Sequence, residues 1–581
     1  MSSCRSLVLL TLFSFLVVSF AGCDRCRSDD AEAAQQSVAE LAVLVPANAD
    51  TALVVPKIED LPPTFDYALR RMGHVNPDAR AYATFLRRQL GVDLTDVESW
   101  EEAGFDTDGS LMISLVSGRP VFTAHLDDED DFEETVIANF RRQLGTQGGI
   151  EDETIAGRSF RVSGDDAGDD MAWFFDDSRV VWVMPPFDAF AVYESGSAAS
   201  VANKLGGLDE DTSLANSDSF VQFQKGIGNE FPVSIFFDVA LHMDSADQLP
   251  TDALGVTGVD TLIDGLTQWS QANAGGAGVG LRAGDQRLEI RTFAGGDDEL
   301  IAKTREFYST DADIDWQGLL TERIVVGTRT SFDLQRTVDT YLETLPDEHR
   351  RMIRREMQQL SDQLGLDVEE DVLGAFSGHT TAAFYGVTDG AGSVPRLFMT
   401  GRIERGVQTL LSNMGLLVSF HFADVDKMNQ LADTLEDQAR GLVRRNALTY
   451  QGSETDDVEI LAPASIRAFP LRLAIKDDVV TLATAGISED DLYEYLTASR
   501  SETLLADSDD HPLGAQFAES DNPNGLYLNF ANLRRNMRNI SLLANYAGTI
   551  EFLHELLMVV DVDDHGIYVD TIVQFTDPLA D

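Results

Sequence analysis

The sequence predicts an α+β chain of two homologous modules, each built from antiparallel or mixed sheets with helices packed on one face. Three observations carry the prediction. Short apolar runs with β-branched and aromatic residues come in pairs across polar turns, the signature of hairpins. Helix-period segments separate the pairs, so strands and helices are not interleaved in a strict βαβ rhythm. The order of these phrases then repeats in the second half of the chain.

The first 45 residues precede this pattern. Arg5 supplies a positive start, and Leu7 to Phe20 is an apolar run interrupted by Thr11, Ser14 and Ser19. Ala21 and Gly22 then lead into Cys23, so residues 1–22 read as an export signal. The run is shorter than the roughly 20 apolar residues of a membrane-spanning helix. Either a plain secretory signal or a bacterial lipoprotein signal accounts for it. Phe20-Ala-Gly-Cys23 resembles the bacterial lipobox, with Phe20 standing where an aliphatic residue is usual. The resemblance implies cleavage before Cys23 and lipidation of its thiol. Residues 23–45 are expected to form a flexible acidic tether: SDDAEAAQQS (28–37) is small, polar and acidic, though its Ala, Glu and Gln would also favour a short helix. Of the three cysteines, Cys4 leaves with the signal and Cys26 lies in the tether, so no disulfide or thiolate metal site is available beyond residue 30.

The modules are expected at 46–310 and 318–581. Thr51–Pro56 and Arg323–Thr328 open them as strands, each followed by a helical segment. Leu90-Gly-Val-Asp-Leu94 matches Leu364-Gly-Leu-Asp-Val368, with Gly91 and Gly365 as helix C-caps. Strands at 111–116 and 380–387, then 121–125 and 418–421, lead through acidic residues into helices at 131–144 and 425–442. The hairpin at 173–181 matches 473–480, and the strand at 234–239 matches 525–530. Terminal hairpins at 278–293 and 559–575 close the halves. The second half carries an extra segment at 389–417. This layout resembles duplicated, uncharacterised bacterial envelope lipoproteins, a likeness that implies no activity and transfers no functional residue.

Composition narrows function. The formal net charge is −55, and only six lysines accompany 37 arginines. A surface this acidic repels phosphate backbones, which excludes a general nucleic-acid binder. The sequence lacks the Walker phosphate loop, the G-x-S-x-G elbow and S-x-x-K, and His554-Glu555 fails to continue into H-E-x-x-H. Asp127–Asp131, Asp165–Asp170 and Asp561–Asp564 do not form an EF-hand pattern and read as solvated turns. His125 and His421 occupy matching strand ends. They are the candidates for a paired metal or proton-transfer site, against the structural reading of a duplicated strand residue. Trp173, Phe174, Phe175 and Trp182, with Phe187 and Phe190, line either a groove or the core. Gly275–Gly280 lacks the helix of a dinucleotide site and reads as a close strand approach.

These features lead to the expectation of a non-enzymatic, lipid-anchored protein of the bacterial cell envelope that acts as a binding or scaffolding module. It would face the periplasm or the exterior, with the membrane and other envelope proteins as partners, and with no cofactor or metal. The alternatives are a periplasmic carrier or chaperone-like protein with an apolar cavity, and a hydrolase with a dispersed active site.

Overall fold

The computed structural model describes residues 28–576 except 76–83, 85–86, 89–90, 145–148, 164–170, 186–196, 228–229, 240–273, 285, 309–319, 332, 334, 337, 340–341, 343–346, 389–393, 401, 432, 435–449, 456–457, 464–470, 497–503, 521, 523 and 541–542. The chain is α+β, and every registered strand pair is antiparallel. Two compact units are distinguished. One comprises residues 1–301 with 563–570 and 578–581, the other residues 302–562 with 571–577.

The first unit begins with helix α1 (Ser28–Ala42), then β1 (Thr51–Val55), α2 (Leu61–Val75) and α3 (Val97–Glu101). Strands β2 (Leu111–Val116) and β3 (Arg119–His125) follow. Helices α4 (Glu129–Phe132) and α5 (Ala138–Leu144) are joined by a π-helical turn, Glu133–Ile137. Next come β4 (Ile150–Ile155), β5 (Arg158–Ser163), β6 (Met171–Phe175), β7 (Arg179–Val183), α6 (Ala198–Gly206) and α7 (Asp218–Ile227). β8 (Val233–Asp238), β9 (Ala274–Gly284), β10 (Arg287–Gly296) and α8 (Asp298–Tyr308) end the series. Pairing places the strands in the order 4-5-6-7-3-2-1-8-9-10.

The second unit contains β11 (Val326–Ser331), α9 (Asp347–Leu364), β12 (Phe376–Val387), α10 (Val394–Met399), α11 (Ile403–Asn413) and β13 (Met414–Phe422). β14 (Tyr450–Thr455), β15 (Val458–Pro463), β16 (Leu471–Lys476), β17 (Val479–Thr484), α12 (Glu489–Leu496) and α13 (Pro512–Glu519) follow. The last elements are β18 (Gly525–Asn529), α14 (Phe530–Asn539), β19 (Leu553–Val562) and β20 (Gly566–Phe575), of which residues 566–570 are grouped with the first unit. Its strand order is 14-15-16-17-13-12-11-18-19-20. With ten subtracted from each number, this is the order of the first unit.

Local chemistry explains several elements. Gly91 and Gly365 adopt φ of +79° and +73° and close helices with N–H bonds to Arg87 and Ser361 carbonyls, as C-caps do. Asp177 and Ser178 (φ +48° and +61°) form the two-residue turn of the β6–β7 hairpin, and Asp477 (φ +51°) serves β16–β17. The acidic run at 127–131 has a specific use. Asp128 caps α4, accepting from the Asp130 and Asp131 N–H groups at 2.9 and 3.0 Å. Gly276 on β9 lies directly beneath the Ser219 carbonyl of α7, where a Cβ would overlap backbone. Gly276→Ala is expected to cost about 1–3 kcal/mol by forcing α7 off the strand, measured by urea unfolding.

Two expectations are corrected. Residues 28–42 of the presumed tether form α1, and its Val38, Leu41 and Ala42 are buried in the core because they fall on one helix face. Helices are also not confined to one sheet face in the first unit. Ala52, Val54, Met112, Val121, Val181 and Val183 pack under α1, α6 and α7, while Val55, Leu111, Phe122, Val180, Trp173 and Trp182 pack under α2, α4 and α5. Strands covered on both faces are buried without alternation, as β3, β6 and β7 are, and Met171–Phe175 and Val180–Val183 are continuously apolar as that requires. The second unit instead alternates: β11 and β13 bury every other residue. The β4–β5 hairpin escaped sequence detection because Ile150–Ile155 is solvent-facing and half charged, a pattern suited to an edge.

Candidate functional site

His125 ends β3 opposite Arg179, and His421 lies opposite Val479 on β13, the equivalent rung of the equivalent ladder. Each belongs to its own unit, and their surroundings differ. The Ser110 N–H points at His125 Nδ1 at 3.3 Å, so that nitrogen is an acceptor and Nε2 carries the proton toward Glu40 Oε2 at 3.5 Å. Ser37 Oγ on α1 donates to Ser110 Oγ at 2.9 Å. Ser, His and carboxylate are thus contiguous. Ser110 is fully buried, however, and the group fastens α1 to the sheet rather than presenting a nucleophile. His421 is buried beside His379. Burial and the His421 ring hold the His379 imidazole down at about 4, and burial also lowers His421 against the upward pull of Asp478.

The richest polar cluster lies in the second unit and joins three elements. His511 is the N-cap of α13, followed by Pro512 at the first helical position. The Leu513 N–H would be an orphan donor of the first turn, and it donates to Glu555 Oε2 at 3.1 Å. Glu555 on β19 is wholly buried. Its Oε1 receives His511 Nδ1 at 3.1 Å and a short hydrogen bond from the Tyr527 hydroxyl on β18. Burial pushes the Tyr527 phenol far above its usual range, and the Glu555 bond raises the His511 imidazole. The Asn529 amide sits 3.4 Å from the His511 ring while its Oδ1 caps α14 at the Asn532 N–H, 2.9 Å away. His554 packs its ring 5.7 Å from that of His511 and places Nε2 3.0 Å from the Asp510 carbonyl. Ligand atoms of His511, His554 and Glu555 lie within 4.8 Å of one another.

Sequence reasoning missed this cluster. His511 and Glu555 are 44 positions apart, and His554-Glu555 carries no recognised spacing. The Asp563 carboxylate accepts from the His565 and Gly566 N–H groups at 2.7 and 3.1 Å, which makes that acidic run a turn. Cys23, Phe187, Phe190 and Asp165–Asp170 lie outside the described residues.

A second feature is found where the two units differ at equivalent positions. In the first unit one rung runs Leu53, Ile113, Phe122, Trp182, Trp173 across β1, β2, β3, β7 and β6. Phe122 and Trp182 meet edge-to-face at 5.9 Å, Phe140 of α5 stands 5.0 Å from Trp182, and both tryptophans are buried. The equivalent rung in the second unit runs Thr328, Ala382, Val418, Leu482, Leu473. Every residue on it is smaller, and Leu482 is 40 % exposed. Flanking rungs bring Val326, Phe384, Leu416, Leu526, Leu528, Leu556 and Met558 to the same half-buried face. At one end Met428, Leu431 and Phe422 already pack with Phe420, Ile475 and Val480.

No protein-family model matches the chain, and no curated protein matches it. Two solved structures, crystal forms I and III of TP0453, are each 9 % identical with a TM-score of 0.22. Both cover 47 % of this chain, which spans 80 % and 89 % of theirs.

Proposed function

We propose that this chain is a lipid-anchored, non-enzymatic binding protein of the bacterial cell envelope, in which one ancestral unit was duplicated and the second copy takes an apolar ligand. The shared strand order, rung for rung, supports the duplication. The ligand reading rests on one observation: the rung filled by Phe122, Trp182 and Trp173 in the first unit is Val418, Leu482 and Leu473 in the second. Replacing three rings with aliphatic side chains removes packing volume from an otherwise apolar surface. The face is half-buried under residues such as Met428 and Leu431 rather than flat and open, which suits a narrow molecule of the acyl-chain type better than a protein surface.

The test uses a fluorescent apolar probe, N-phenylnaphthylamine, titrated into the mature chain. Saturable uptake of one equivalent is expected, competed by a long-chain fatty acid. Leu482→Trp, which restores the first unit's side chain, should abolish uptake while leaving the far-UV spectrum unchanged. Equal uptake by wild type and Leu482→Trp would remove this reading. The anchor is tested separately by mass spectrometry of the mature N-terminus, where a diacylglyceryl-modified Cys23 is expected. An unmodified Cys23 or another cleavage point would refute the anchor and leave the ligand reading standing.

A further inference from the structure

We propose that His511, His554 and Glu555 form a binding site for a borderline divalent cation, Zn2+ above all. This inference goes beyond the apolar-ligand reading and does not depend on it. Two imidazoles and one carboxylate are a donor set that suits zinc, which takes nitrogen at about 2.0–2.1 Å and carboxylate oxygen at a similar distance. Two ligands of one tetrahedral ion then lie about 3.4 Å apart. His511 Nδ1 and Glu555 Oε1 are 3.1 Å apart, so an ion can replace the proton between them with little movement.

The third ligand is prepared by its partner. The Asp510 carbonyl accepts from His554 Nε2 at 3.0 Å, which puts the ring proton on Nε2 and leaves the Nδ1 lone pair free to ligate. Such carbonyl-oriented histidines are the usual outer-shell arrangement of zinc sites. Each of the three residues brings a ligand atom within 4.8 Å of the other two, and rotation of the half-exposed His554 side chain is the movement that closes the site. Glu555 is fixed from behind by the Leu513 N–H and the Tyr527 hydroxyl, as a ligating carboxylate needs to be. The fourth position falls to solvent. The ion would tie β19 to the start of α13.

The experiment uses the mature chain in a Cys23→Ser, Cys26→Ser background, which removes its two thiols. After EDTA treatment, Zn2+ is titrated by calorimetry in excess Mg2+, so that the many surface carboxylates are occupied by the harder ion. One Zn2+ per chain is expected, with Co2+ in its place giving the visible absorption of a tetrahedral site. His554→Ala, at a half-exposed position, should retain the wild-type circular dichroism. It should weaken Zn2+ by more than the roughly 10–100-fold that loss of an outer-shell partner costs. Equal affinity in wild type and His554→Ala, or no Zn2+ uptake by the folded wild type, would overturn the proposal.

Discussion

Glu555→Ala should destabilise the second unit by about 3–5 kcal/mol, the range for removing one partner of a buried ionic pair. The carboxylate is completely buried and serves three donors at once: the Tyr527 hydroxyl, the Leu513 N–H and the His511 ring. Truncation leaves all three desolvated without an acceptor, and it opens a hole at the contact of α13, β18 and β19. Glu555→Gln keeps one acceptor oxygen, which serves either the Leu513 N–H or the Tyr527 hydroxyl but not both, and it removes the charge opposite His511; because the side chain still fills the site, its cost should fall to about 1–3 kcal/mol. Guanidinium unfolding in EDTA, followed by far-UV circular dichroism, measures both. If each variant lies within 0.5 kcal/mol of wild type (about the scatter of ordinary surface substitutions), the network holds nothing together.

Acidification should weaken the second unit through His379. In the folded protein this imidazole is held down at about 4, chiefly by burial and then by His421, whereas unfolded it titrates near 6.5. Between these values the unfolded chain binds one more proton, so stability rises with pH and is lost as pH falls from 6.5 to 4. The full difference corresponds to about 3 kcal/mol. His421, also lowered, acts in the same direction. His511 acts oppositely, because its raised pKa adds stability at low pH that disappears as pH rises through the folded value. Comparison with His379→Gln removes these shared contributions. The variant should show a loss between pH 6.5 and 4 smaller by up to about 3 kcal/mol, and parallel curves for the two proteins would contradict the assignment.

Much of the fold was legible because it is written locally. Gly91 and Gly365 announce helix ends, since only glycine reaches positive φ at little cost. The hairpin turn at 176–179 and the matching phrases at 111–125 and 380–421 identify strands without any knowledge of their neighbours. The first strand of the second half was misplaced, expected at 323–328 and found at Val326–Ser331, because Ile324 and Val325 are buried just ahead of the ladder. At Ser28–Ala42 the composition allowed a tether or a short helix, and only the docking of Val38, Leu41 and Ala42 in the core decides for a helix of this length.

The site was much less legible. His125 and His421 were singled out by sequence position, and the ladders do place them on equivalent rungs, but their chemistry comes from other elements: Ser37, Glu40 and Ser110 in one case, His379 and Asp478 in the other. His511, Tyr527 and Glu555 carry no signal at all until antiparallel pairing sets Asn529 against Glu555 and the N-cap of α13 comes down on the same strand.

The amino-acid order by itself determined much of the strand and helix inventory, the acidic surface and the repeated phrase order, since these depend on periodicity, turn chemistry and net charge along the chain. The three-dimensional packing decided which sheet faces of the first unit are closed, how far Leu482 is exposed, and which distant polar groups share the interior with Glu555. Those outcomes depend on side-chain volumes and hydrogen bonds meeting across strands far apart in sequence, and no local pattern encodes such meetings.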